Sequence, residues 1–144
     1  MNIIDNRNIQ DLSFLEKAPH LQELYLSNLP GITTLPLSKL PQLSVLRIEE
    51  LHKLTDIASL AQSNIQYLEI KLSADKISAT RMADVLLRMP SLKALHIGPF
   101  SRVQCKKTPI ICRQFEKAGR SDVITLFSLS YLLGEAGGAG ADLP

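Results

Sequence analysis

Apolar residues recur along this chain in a single phase. The segments LQELYL from Leu21, LSVLRI from Leu43, IQYLEI from Ile65 and LKALHI from Leu92 each carry apolar side chains at positions 1, 4 and 6, and their starts lie 22, 22 and 27 residues apart. Pro19, Pro41 and Pro90 stand two residues before three of these starts, where proline keeps a preceding helix from running on. After each of the first two segments the apolar residues continue at three-residue steps: Leu29, Ile32, Leu35, then Leu37 and Leu40; and Leu51, Leu54, Ile57, then Leu60. That step is too tight for a strand and too regular for an arbitrary loop, so it predicts turns that keep leucine pointing inward on a return path. Each unit then reads as one coil, with a short strand at positions 4 to 6 stacked in parallel on the next at about 4.8 Å.

The third coil is longer. In SATRMADVLLRM, Met82, Val85, Leu86 and Met89 fall at i, i+3, i+4 and i+7, the stripe of an amphipathic helix, with Ser78 as N-cap and Pro90 beyond its end. The 22-residue coils have fewer residues for this path and are expected to use 3₁₀ turns or extended segments. Ile3, Asn6, Ile9, Leu12 and Leu15 match only the return half of a coil, so the first coil reads as truncated. Ile4, Ile9, Leu12 and Phe14 either close that edge themselves or meet another chain. At the other end, Thr108-Pro109 predicts a helix start, Gly119 a stop, Ser121-Asp122 a second start and Gly134 a second stop. Two helices would then cover the open end of the leucine core.

These residues resemble the leucine-rich repeat family, whose signature runs LxxLxLxx(N/C)xL. LQELYLSNLPGITTLP and LSVLRIEELHKLTDIA look like its 22-residue repeats, and the Ile65 coil is similar to the longer helix-bearing kind. The pattern departs from the family at the ninth position, where Leu29, Leu51 and Ser73 stand in place of the usual Asn and only Asn6 fits. The resemblance implies an α/β solenoid, with a short curved parallel sheet on the concave side and turns and one or more helices on the convex side. The repeats would occupy residues 1–101, a helical C-terminal cap 102–133 and a flexible tail 134–144. It also implies a concave face that binds another protein, without catalysis, cofactor or small-molecule substrate. Small cytosolic members include effectors that intracellular bacteria inject into host cells, and the small-residue tail is compatible with a translocation signal.

Side chains beside the core positions must point outward, because strand neighbours alternate. The central column of that face is Tyr25, Arg47, Glu69 and His96, flanked by Glu23, Asn28, Glu49, Tyr67, Lys71 and Lys93, with Gln22, Ser27, Ser44, Val45, Glu50, Gln66 and Leu72 around them. Tyr and Arg are enriched at binding hot spots, which makes this the expected partner-binding surface. Arg47 and Glu69 are cross-strand neighbours that can also satisfy each other. Glu69 beside His96 is the one acid and base pair on this face, yet neither nucleophile, metal ligand nor enclosed pocket accompanies it, so no catalytic or metal residue is assigned.

Composition narrows the remaining classes. The 144 residues are 45% hydrophobic and 21% charged, which suits one folded domain; 5% are aromatic and Trp is absent, so the core must be aliphatic. The net charge of +2 hides a basic stretch: residues 102–120 hold six basic side chains against Glu116 alone. This stretch is an alternative docking site for acidic partners, although no nucleic-acid motif accompanies it and nucleic acid is not the favoured partner. Cys105 and Cys112 lack the CxxC spacing of zinc and redox sites, and two thiols suit a reducing cytosol. No signal peptide is visible at MNIIDNRNIQDL, and the most apolar run, Val123 to Leu133, covers about half of the roughly 20 residues of a membrane span. A cytoplasmic protein is expected, or one passed into a host cytosol by another route. The competing reading is a structural fragment that self-associates through its truncated amino edge.

Overall fold

The computed structural model describes residues 1–71, 77–98 and 102–125, with the backbone alone for 102–106. Five short strands form one parallel sheet: β1 (Asn2–Ile4), β2 (Glu23–Ser27), β3 (Val45–Glu49), β4 (Tyr67–Lys71) and β5 (Ala94–Ile97). Their spatial order is their order in sequence, each pairing with the next. The register is the one the repeats dictate: Tyr25 opposes Arg47, Arg47 opposes Glu69 and Glu69 opposes His96. Asn2 joins this column through Tyr25, so the incomplete first coil still supplies a three-residue strand. The result is a mixed α/β fold with a five-stranded parallel sheet and two helices, α1 (Ala79–Leu87) and α2 (Arg102–Lys117).

The three-residue leucine step has a direct structural cause. The return paths contain 3₁₀ turns at Ser13–Lys17, Leu37–Lys39 and Ala58–Gln62. Their N–H groups bond three residues back: Leu15 to Leu12, Leu40 to Leu37 and Leu60 to Ile57, at 3.0–3.1 Å. A 3₁₀ turn brings residues i and i+3 above one another, so leucines at that step share one side. Leu12, Leu15, Leu37, Leu40, Ile57 and Leu60 are all buried in the common core. Asp11 and Asp56 occupy the same place in their coils and cap these turns, each carboxylate accepting the N–H two residues on, from Ser13 at 2.9 Å and Ala58 at 3.0 Å. The bonds from Ser13 hold the Asp11 carboxyl below its ordinary value.

The ninth-position leucines are answered by backbone geometry. Leu29 and Leu51 are fully buried, and the residues just before them, Asn28 and Glu50, adopt left-handed φ of 53° and 57°; Asp5 matches them in the first coil at 54°. This turn aims each N–H at the neighbouring strand's end: Asp5 to the Ser27 carbonyl, Asn28 to that of Glu49 and Glu50 to that of Lys71, all at 3.0 Å. The turn backbone is thus satisfied from coil to coil without an asparagine ladder. Among the described residues Asn6 makes a local bond, accepting the Asn8 N–H at 2.9 Å. Coils also approach closely at Gly31, where a Cβ would overlap the Ile9 carbonyl oxygen.

Helix α1 follows its pattern. The Ser78 hydroxyl accepts the Arg81 N–H at 3.2 Å as N-cap, and Met82, Val85, Leu86 and Met89 are buried. The second helix differs from its expected start. It begins at Arg102 rather than at Thr108-Pro109, and Pro109 lies inside it. Its end is as expected: Gly119 takes φ 70°, its N–H bonds the Glu116 carbonyl, and the Arg120 N–H bonds that of Phe115 at 2.8 Å, the paired closure of a Schellman motif. Ile111 and Phe115 are fully buried, and α2 packs on α1. The expected helix from Ser121 is only a 3₁₀ turn, Ser121–Val123; Ile124 is extended and bridges Leu95 in parallel, and the Thr125 N–H donates to the Leu95 carbonyl at 2.8 Å. The chain thereby begins a further pairing on the β5 edge. Ile124, Leu126 and Leu129 repeat positions 4, 6 and 9 of the other coils, a sequence signal masked by the surrounding apolar run. The rest of the expected second helix, the 134–144 tail, Leu72, Ser73 and the Cys105 side chain lie outside the described residues.

At the amino edge, Leu12 is buried and Ile9 partly so, whereas Ile4 and Phe14 remain 46% and 44% exposed. Local closure is therefore partial: Leu12 and Ile9 cover the edge, while Ile4 on the strand and Phe14 on the return path stay open.

Candidate functional site

The sheet face opposite the leucine core gathers the residues expected there. Core side chains point inward from positions 4 and 6 of each strand, leaving positions 3, 5 and 7 to the other face. Tyr25 and Arg47 stand side by side at position 5, and the Arg47 guanidinium lies over the Tyr25 ring, 4.5 Å from its centroid. The Tyr25 hydroxyl donates to Glu49 Oε2 at 2.6 Å. Burial pushes the Tyr25 phenol above its ordinary value, and the carboxylate it faces raises it further. One aromatic ring is thus fixed by a cation on its face and an anion at its tip.

The other half of the column is arranged around Glu69. Its Oε1 lies 3.9 Å from Lys71 Nζ and 4.0 Å from His96 Nε2. His96 Nδ1 lies 3.3 Å from the Thr125 carbonyl oxygen, which can only accept, so Nδ1 carries the proton in that contact. Glu69 differs from its expected role as an exposed contact residue: it is 5% exposed, with Lys71 and His96 beside its carboxylate. A carboxylate so enclosed orders the face more than it meets a partner. Ser27 and Val45 also depart from expectation, both being buried although they flank the column.

The remaining expected residues divide by position. At the carboxy ends of the strands, Asn28 Nδ2 donates to Asp5 Oδ1 at 2.8 Å and Glu50 pairs with His52 at 3.2 Å. Towards the amino ends, Glu23 and Lys93 are exposed and Tyr67 is half-buried. A depression of about 310 Å³ opens there, lined by Met1, Asn2, Glu23, Leu24, Tyr25, Val45 and Arg47. Val45 is buried yet stands apart from the leucine core, as expected of a residue flooring the opposite face. Sequence reasoning did not include Asn2 or Thr125 in the column; their registers with Tyr25 and through Leu95 place them at its two ends.

The basic stretch is partly consumed by the fold. Lys107 Nζ donates to the Ile77 carbonyl at 2.6 Å, and Arg120 donates to that of Leu92 at 3.0 Å. Arg113 and Lys117 remain exposed. Burial, and secondarily Glu116, raise the Cys112 thiol above its ordinary value, which makes it a poor nucleophile. Among the described residues no group of three or more His, Cys, Asp or Glu could hold a metal ion, and no helix is long and apolar enough to cross a membrane.

Compared with known proteins, the chain matches no family model, no curated protein and no solved structure.

Proposed function

We propose that this chain is a leucine-rich repeat solenoid that acts as a non-enzymatic protein-interaction module, its partner resting on the sheet face that carries Tyr25 and Arg47. The observation that carries this reading is the register: four coils present Tyr25, Arg47, Glu69 and His96 in one column, and the Arg47–Tyr25 stack with its Glu49 bond holds a hot-spot pair in place before any partner arrives. The Glu69–His96 separation of 4.0 Å is beyond hydrogen-bond reach, which does not favour reading the two as an acid and base pair. The reading of the basic stretch as an electrostatic adaptor is weakened by the two cations spent on carbonyls.

The test compares the wild-type chain with a Tyr25→Ala, Arg47→Ala double variant and with Arg88→Ala on the exposed side of α1, all confirmed folded by circular dichroism. A protein held by wild type and by Arg88→Ala but lost by the double variant supports the face. Equal retention by all three overturns it.

A further inference from the structure

We infer that the face takes an extended peptide segment lying across the strands along their amino-terminal ends, with a basic side chain over Glu23, an apolar one over Val45 and Tyr67, and an acidic one over Lys93. This rests on the interaction-module reading and names the partner's chemistry.

The inference starts from what each half of the face has left to offer. Towards the carboxy ends, the polar side chains answer one another: Tyr25 with Glu49, Asn28 with Asp5, Glu50 with His52, and Glu69 with Lys71 and His96. A partner there must first break those contacts, and exposed pairs give little back. Towards the amino ends, the side chains of Gln22, Glu23, Gln66, Tyr67 and Lys93 make no hydrogen bond or ion pair among the described residues. The depression floored by Val45 opens in this same half, between Glu23 and Arg47.

Charge and spacing then fix the occupant. The registered row runs Glu23, Val45, Tyr67, Ala94, and the exposed Lys93 immediately precedes Ala94, three strand intervals from Glu23 and one residue off the row. At about 4.8 Å per interval the two charges stand roughly 14 Å apart, and an extended chain covers that in about four residues at ~3.3–3.4 Å each. Residues i, i+2 and i+4 of an extended segment share one face. The complementary motif is therefore basic, x, apolar, x, acidic, readable in either chain direction. Backbone polar groups of such a segment have Gln22 and Gln66 beside them as amide partners.

The experiment uses the full chain, uniformly ¹⁵N-labelled, and three capped synthetic heptapeptides that differ only in charge: Ser-Arg-Ser-Leu-Ser-Glu-Ser, its Arg/Arg counterpart and its Glu/Glu counterpart. The mixed-charge peptide is expected to bind at least three-fold more tightly than either counterpart and to shift the amides of Glu23, Val45, Tyr67 and Lys93. Glu23→Lys is expected to transfer the preference to the Glu/Glu peptide, and Lys93→Glu to the Arg/Arg peptide, both variants keeping the wild-type spectrum elsewhere. Equal binding of all three peptides, or shifts confined to Arg47, Glu69 and Lys71, overturns the motif while leaving the face as a binding surface. Shifts that avoid the sheet altogether overturn the face as well. Shifts of these amides that follow protein concentration rather than peptide show that a second copy occupies the row, which also overturns the inference.

Discussion

At the scale of single residues, Tyr25 concentrates the physics of the open face. Its ring is covered by the Arg47 guanidinium and its hydroxyl points at the Glu49 carboxylate, so ionising the phenol would bring two anions together in a partly dehydrated place. The phenol of the folded chain titrates above the ordinary value of 10.0, and a group whose folded value is raised contributes stability that is present below the unfolded value and is lost as pH rises through the folded one. Stability should therefore fall as pH climbs past about 10, and Tyr25→Phe should remove part of that fall. Absorbance titration of wild type should show an ionisation above 10.0 that Tyr25→Phe lacks; a difference curve centred at or below that value would remove the basis for this expectation. Much of this site was legible beforehand, since the period alone put Tyr25 beside Arg47. The burial of Glu69 was not, because it depends on where Lys71 and His96 direct long side chains, which no period encodes. The left-handed turn was half legible: Asp5 and Asn28 are residue types that tolerate positive φ, whereas Glu50 in the same place obscures the series.

At the scale of elements, local signals succeeded where one interaction decides and failed where two compete. Ser78 and the Met82 stripe specify α1 because cap and apolar face agree. In α2, Thr108-Pro109 carries the signature of a helix start, yet the helix already runs from Arg102 with Pro109 inside it, so a signal that permits a start does not enforce one. The end of α2 depends on Arg120 twice over, through its N–H on the Phe115 carbonyl and its guanidinium on that of Leu92. Arg120→Met keeps the backbone bond and removes the second, leaving a part-buried carbonyl without its charged donor. Urea denaturation should report a loss of about 1–3 kcal/mol, against a change within ~0.5 kcal/mol for Arg113→Met on the exposed side of the same helix. Equal losses from the two would mean that general charge rather than this bond is what matters.

At the scale of the whole molecule, every strand pairs only with its neighbours in sequence, and the hydrophobic core runs unbroken from Leu12 in the first coil to Val123 beyond the last. The order of coils was readable because position 1, 4 and 6 leucines recur, but the pairing of Ile124 with Leu95 was not, since Val123 to Leu133 is apolar almost throughout and the phase disappears within it. The register between β2 and β3 has one more consequence. Glu23 meets Val45 at a separation of 22 residues, so the chain carries its own ruler. A tandem duplication of residues 21–42 is an insertion by one full graduation: each new residue faces the neighbour it would have faced before. Such a chain should remain folded, with a steeper urea dependence in proportion to the added buried surface. An insertion shortened by a single residue within the strand would turn leucines to the open face and charges to the core, and should abolish cooperative unfolding. Length changes in this protein should in that sense be tolerated in whole coils and penalised in fractions of one.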